Sequence, residues 1–239
     1  MNRQQELHER WQSVKERLAS AVAASGRHPS EITLVAVSKL HEAADIATLA
    51  ALGQVDFGEN YVQEACAKQQ DLLLNPACQQ VRWHFIGHVQ SRKAAQVGGA
   101  FALVHTVDSA KLAQALEKQC LAVNKRQPVL IQVNIGAEEQ KSGVMAAALP
   151  ALAEQVLACP HLDLQGLMCL PPVFDNGALA RPYFAQLRAL RDDLSTRLAM
   201  PLPHLSMGMS GDFAEAVLEG ATLVRIGTDI FGARPPKKL

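Results

Sequence analysis

Lys39 closes a short branched run, Leu34-Val35-Ala36-Val37-Ser38-Lys39. On an extended strand it shares a face with Val35 and Val37, the kind of residue that fills the inside of a closed parallel sheet. An amine held against such a surface is partly desolvated. Desolvation disfavours the ammonium form, and the neutral amine is the nucleophile that attacks an aldehyde to give a Schiff base. Position alone leaves a solvated loop lysine equally open, so the residues brought near Lys39 must decide.

A second candidate is Arg225, which sits in the apolar run Thr222-Leu223-Val224-Arg225-Ile226-Gly227-Thr228. A buried charge demands a partner. Either Glu59, whose parity with Phe57 turns it inward, pairs with it, or a polar ligand does. Gly227 lets backbone N–H groups approach an anion closely, and Thr228 adds a hydroxyl donor. The segment Ser206-Met207-Gly208-Met209-Ser210-Gly211-Asp212 runs into a helix at Phe213 and gathers more hydroxyls and glycines. Either turn alone is ordinary helix capping; side by side they make a phosphate cradle.

His84 and His88 are four apart, but on a strand that spacing separates them by roughly 13 Å, too far to share a metal. No metal site is expected.

These groups need a scaffold that delivers strand ends to one mouth. Eight short runs apolar on both parities are spaced along the chain: 32–38, 55–60, 83–88, 102–108, 129–134, 162–170, 204–209 and 222–228. Such runs suit strands buried on both faces of a parallel sheet. Segments of helical period separate them, for example Leu112, Leu116, Cys120 and Val123, or Phe184, Leu187, Leu190, Leu194 and Leu198. Eight βα units in 239 residues predict a (β/α)8 barrel, whose site lies at the carboxyl ends of the strands. An open doubly wound sheet would need a glycine-rich first βα turn, and Ser38-Lys39-Leu40-His41 is no such turn. Leu7, Trp11, Val14, Leu18 and Val22 form one stripe on an extra helix over about 2–25, which Gly26 and Pro29 end. The barrel is expected over about 32–232, within one domain of 1–239, and the tail Pro235 to Leu239 is expected to fray.

Composition narrows the function classes. Lys plus Arg equals Asp plus Glu at 23 each, so no net field favours nucleic acid or an anionic membrane. The five cysteines are odd in number and form no C-x-x-C pair, which points to reduced thiols in the cytosol. Neither a signal segment nor a membrane span is expected.

The segments Ala36-Val37-Ser38-Lys39, Phe57-Gly58-Glu59-Asn60-Tyr61, Trp83-His84-Phe85-Ile86-Gly87, Lys141-Ser142-Gly143, Gly166-Leu167-Met168, Leu205-Ser206-Met207-Gly208-Met209-Ser210 and Val224-Arg225-Ile226-Gly227-Thr228 occur in order. Together they resemble the pyridoxal phosphate homeostasis proteins, the YggS family. The resemblance implies an alanine racemase-like barrel of fold type III that binds pyridoxal 5'-phosphate (PLP). It makes Lys39 the Schiff-base lysine and sets Arg225 at the pyridine nitrogen. Ser206, Ser210, Gly227 and Thr228 would hold the phosphate, Asn60 would lie beside the ring, and Met168 and Met207 would complete the binding set. Three places depart from the family pattern: Leu40-His41-Glu42 after the lysine, His88, and Arg92, all at the rim.

The resemblance implies a cofactor binder without a defined turnover, acting in intracellular PLP homeostasis with apo-enzymes as candidate acceptors; a barrel without an accessory domain is expected to be a monomer. A competing reading is a weak amino-acid racemase or decarboxylase, and a third is a cofactor-free Schiff-base aldolase. Against racemisation, the chain has two tyrosines, Tyr61 and Tyr183, each placed at the start of an outer helix as a packing aromatic. Lys141, in the loop after the fifth strand, is either a secondary contact or a solvated lysine.

Overall fold

The computed structural model describes residues 2–233; the tail Pro235 to Leu239 lies outside them. After α1 (Arg3–Ser25) the chain runs β1 (Thr33–Val37), α2 (Ala43–Ala51), β2 (Asp56–Glu59), α3 (Val62–Leu72), β3 (Arg82–Phe85) and β4 (Leu103–Val107). It continues through α4 (Ala110–Ala122), β5 (Gln127–Val133), α5 (Leu149–Leu157), β6 (Leu162–Cys169), α6 (Arg181–Leu198) and β7 (His204–Ser206). It ends with α7 (Phe213–Leu218), β8 (Leu223–Ile226) and α8 (Thr228–Phe231). The strands pair in parallel in chain order and β1 pairs with β8, so the sheet closes as a (β/α)8 barrel.

All eight expected strands are present, most of them trimmed at the ends. One expected helix is not: the β3–β4 connection carries only a 3-10 stretch, Ser91–Gln96. Gly98-Gly99 follows after Val97 and stops the turn before it reaches α-helical length.

Strand parity sorts the side chains. Val35, Leu103, Leu130, Met168 and Leu223 form a separate cluster inside the barrel. The alternate positions Ala36, Phe57, Val104, Ile131, Leu167, Leu205 and Val224 pack under the helices in the main core.

The extra helix behaves as expected. Asn2 accepts from the Gln5 backbone N–H at 2.9 Å while the Gln5 side chain accepts from the Asn2 N–H at 3.1 Å, a reciprocal cap. Leu7, Trp11, Val14, Leu18 and Val22 are all buried, and Gly26 closes the helix at φ 68°. Trp11 Nε1 donates to Gln54 Oε1 at 2.9 Å, and Gln54 Nε2 donates to the Leu34 and Asp56 carbonyls, tying α1 to the base of β1 and β2.

Two glycines shape the mouth. Gly208 has φ 90°, and a Cβ there would lie 2.6 Å from Ala216 Cβ and 2.9 Å from Phe213 Cα. Only glycine lets β7 stop after three residues and turn tightly into α7. A Cβ on Gly87 would lie 2.1 Å from the Asn60 carbonyl oxygen, so the β3 loop presses directly on the end of β2. Among the described residues no helix is long and apolar enough to cross a membrane.

Candidate active site

At the carboxyl ends of the strands lies a cavity of about 410 Å3. The inward parity of β1 carries Val35 below it and delivers Val37 and Lys39 to its wall, as the spacing predicts. Arg225 and Gly227 enter from β8, with Thr228 opening α8. Asn60 comes from the end of β2, Met168 from β6, and Ser210 from the loop after β7. Seven of the nine expected cofactor residues therefore share one cavity.

Ser206 and Met207 do not line it. Ser206 is fully buried behind Arg225, accepting from the guanidinium at 2.6 Å and contacting His105 Nδ1 at 2.8 Å. Its hydroxyl is engaged deeper in the barrel. Met207 has outward parity, so its side chain packs in the helix-covered core, and its N–H donates to the Leu223 carbonyl.

The ion pair of Arg225 with Glu59 does not form. Asp56, Gly58 and Asn60 take the inward parity of β2, and Phe57 with Glu59 takes the outward one. Glu59 instead meets Lys68 of α3 at 2.7 Å and accepts from Ser38 Oγ at 2.7 Å. Burial pushes its carboxyl above the usual range against the pull of Lys68.

That cluster grips the backbone around Lys39. Lys68 Nζ donates to the Ser38 carbonyl at 2.7 Å, and Glu64, paired with Lys68 at 2.6 Å, accepts from the Leu40 N–H at 2.5 Å. Leu40 has φ 65°, a conformation a branched-chain residue adopts only where its surroundings enforce it. Nothing local to Lys39 signals this clamp, because Lys68 sits on α3, with α2 and β2 between it and β1.

Arg225 is buried, and among the described residues no carboxylate lies within ion-pair distance of it. It donates to Ser206 Oγ at 2.6 Å and to the Cys169 carbonyl at 3.0 Å. Burial pushes the Cys169 thiol up to about 12, so it stays neutral and supplies no counter-charge. Asn60 Oδ1 is buried without a hydrogen-bond partner among the described residues. A buried guanidinium with no carboxylate on it and an orphaned amide oxygen, both on residues that line one cavity, are the marks of a site shaped for a polar ligand.

Just past the end of β8 Gly227 accepts from the Ile230 and Phe231 N–H groups at 2.9 Å, so α8 begins there with its first N–H groups directed out of the helix. Ser210 and Thr228 place hydroxyls beside that end.

The rim carries the remaining residues. His41 lines the cavity and stacks on Phe231 with centroids 4.8 Å apart. Lys141 also lines it, pairing with Glu138 at 2.6 Å and donating to the Pro171 carbonyl at 2.9 Å, so it is an anchored wall residue. His88 faces solvent and meets Asp108 at 3.3 Å, while Arg92 donates to Gln90 at 2.9 Å. Neither tyrosine reaches the cavity: Tyr61 lines a neighbouring surface pocket and Tyr183 packs on Phe174. His84 and His88 diverge to separate partners, His84 to the buried Asp56 at 2.8 Å.

A closed barrel with a lysine ending β1 and an arginine on β8 at one cavity defines the alanine racemase type of fold, and residues 10–235 match the family described as alanine racemase, N-terminal domain. The pyridoxal phosphate homeostasis protein of Pseudomonas aeruginosa is 45% identical over 221 residues, covering 92% of this chain and 93% of that one. Its counterpart in Aquifex aeolicus is 41% identical over 226 residues, covering 95% and 97%. The structure of PipY from Synechococcus elongatus, solved with PLP bound, superposes with a TM-score of 0.79 at 38% identity, covering 91% and 99%. The chain belongs to the pyridoxal phosphate homeostasis protein family.

Proposed function

We propose that this chain binds PLP in the 410 Å3 cavity and acts in the cytosol as a reservoir for that cofactor, the whole of 1–239 serving as one monomeric binding domain. The observation that carries the reading is the meeting of Lys39, the buried Arg225 and the Ser210/Gly227/Thr228 wall around one space.

The residues fit the group. Lys39 supplies the amine for reversible covalent attachment, on a backbone held by Lys68 and Glu64. Ser210 and Thr228 hydroxyls, with the N–H groups at the start of α8, would take the phosphate. Asn60, on the wall of the same cavity, would lie beside the ring. When bound, PLP supplies an aldehyde carbon that exchanges between amines and a ring that can withdraw electrons. Arg225 would donate to the ring nitrogen and, unable to give up its own proton, would leave that nitrogen uncharged. An uncharged nitrogen makes a weak electron sink, and the absence of both tyrosines from the cavity wall removes the obvious second base. Storage and delivery to apo-enzymes fit these residues better than turnover.

The test is transfer. Protein loaded with PLP and freed of excess should reactivate an apo PLP-dependent enzyme, and Lys39→Ala should not. Sustained racemisation of L-alanine or L-serine by the wild type, abolished in Lys39→Ala, would favour the enzyme reading instead.

A further inference from the structure

A hydrogen-bonded chain crosses the barrel interior beneath the cavity. It runs from Asp56 Oδ1 to His84 Nε2 at 2.8 Å, from His84 Nδ1 to His105 Nε2 at 2.9 Å, from His105 Nδ1 to Ser206 Oγ at 2.8 Å, and from Ser206 Oγ to Arg225 at 2.6 Å. All five residues are buried, and they come from β2, β3, β4, β7 and β8. Its far end reaches the base of the barrel, where the mostly exposed Arg82 pairs with Asp56 Oδ2 at 2.7 Å.

With one proton on each imidazole, the chemistry of the two ends fixes the direction of every bond. Arg225 has only donors, and an ionised carboxylate has only acceptors. Arg225 therefore donates to Ser206, which passes its own hydroxyl proton to His105 Nδ1. His105 then donates through Nε2 to His84 Nδ1, and His84 donates through Nε2 to Asp56. Each inner member gives one proton and takes one. The reverse tautomer of His105 would aim a second donor at Ser206 Oγ and strand the hydroxyl proton. Burial holds the His105 imidazole well below its ordinary range, and the nearby charge of Arg225 pushes it the same way, so it stays singly protonated. Burial pushes Asp56 up, but hydrogen bonds from His84 and Arg82 outweigh it and keep the carboxyl below its usual range.

We infer that Asp56, His84, His105 and Ser206 are positioning residues that act as one unit to fix the Arg225 guanidinium at the cofactor cavity. The inference rests on PLP being the ligand of that cavity. The chain is no proton wire, because its upper end cannot release a proton. Its value is electrostatic and geometric. A carboxylate placed directly on Arg225 would neutralise it and fill the cavity, whereas a series of neutral groups ending in a distant Asp56 orients the guanidinium and leaves its charge for the ligand. Ser206 holds one edge of the guanidinium and the Cys169 carbonyl another, so the plane is set before any ligand arrives.

The test uses four full-length proteins: wild type, Asp56→Asn, Ser206→Ala and the double variant. Each is titrated with PLP, reading the dissociation constant and the position of the visible band. Removal of such a supporting partner should weaken binding about 10- to 100-fold and move the band. The double variant should be no worse than Ser206→Ala, because the link from Asp56 is already cut. Independent, multiplicative losses, or an unmoved band in Ser206→Ala, would overturn the inference. Nitrogen NMR of wild-type protein labelled at histidine gives a readout that needs neither variant nor ligand: His105 should carry its proton on Nε2 and a bare Nδ1. A proton on Nδ1 overturns the chain even if the variants fail to fold. Failure of the wild type to bind PLP would sink the functional reading while leaving the tautomer result to judge the chain.

Discussion

Replacing Lys68 with methionine removes the ammonium that donates at 2.7 Å to both Glu59 Oε1 and the Ser38 carbonyl and at 2.6 Å to Glu64. Glu59 is fully buried, so the variant leaves a carboxyl in the space between β2 and α3 with Ser38 as its remaining donor. Breaking a buried pair in this way costs about 3–5 kcal/mol. At about 2–4 °C per kcal/mol for a domain of this size, the melting temperature should fall by about 6–20 °C. The loss depends on pH. Burial already raises the Glu59 carboxyl in the intact protein, so its folded form binds a proton more tightly than its unfolded form. Stability from such a group is complete below the unfolded value and is lost as pH rises through the folded one. Without Lys68 that folded value climbs further. Acidification from pH 8 toward pH 5 should therefore restore stability relative to wild type, by up to about 1.4 kcal/mol per pH unit. Adding Glu59→Gln to Lys68→Met should recover much of the loss at pH 8. Urea unfolding of wild type and both variants at several pH values measures all of this. A deficit that stays constant from pH 5 to pH 8, or that Glu59→Gln deepens, would refute the reasoning.

Gly208→Ala should destabilise by about 2 kcal/mol or more, since φ 90° and a 2.6 Å clash with Ala216 both oppose it, and PLP affinity should fall as the Ser210 loop shifts; urea midpoints and a PLP titration check both. Trp11→Phe should cost about 1–3 kcal/mol in urea unfolding, because Gln54 Oε1 loses its buried donor. Arg225→Met exchanges a buried charge for an apolar chain of similar volume but leaves the Cys169 carbonyl and Ser206 Oγ without that donor, so it should cost about 1–3 kcal/mol and weaken PLP binding at least 10-fold; full PLP affinity would contradict this. The Asp56 carboxyl lies below its ordinary value of 3.8, so its contribution is present above that value and lost as pH falls. Asp56→Asn should accordingly flatten the acid limb of the stability profile, as measured by thermal melts below about pH 5.

The barrel was legible because each strand is apolar on both faces and each helix carries a clear stripe; those periodicities are local. The place of Lys39 on the cavity wall was legible for the same reason, its parity being shared with Val35 and Val37. Glu59 was misread because β2, Asp56-Phe57-Gly58-Glu59, offers no pattern that tells inside from outside. The large Phe57 suggested an inward face, but Gly58 takes that face, pressed between Val35 and Ile86. For Ser206, hydroxyl and glycine spacing cannot show that its hydroxyl lies behind Arg225 and meets a buried histidine. His105 drew no notice in an apolar run, and its role rests on contacts to residues 21 and 101 positions away. The Lys68 clamp was hidden likewise: nothing local ties a helix lysine to the backbone of a different strand.

The central claim is that PLP becomes covalently joined to Lys39. Borohydride reduction of the protein after incubation with PLP, followed by proteolysis and mass analysis, reads that bond directly. The account predicts a pyridoxyl group on Lys39 at close to one per chain, lost in Lys39→Ala. A label confined to Lys141 or another lysine, or none at all under saturating PLP, would contradict it.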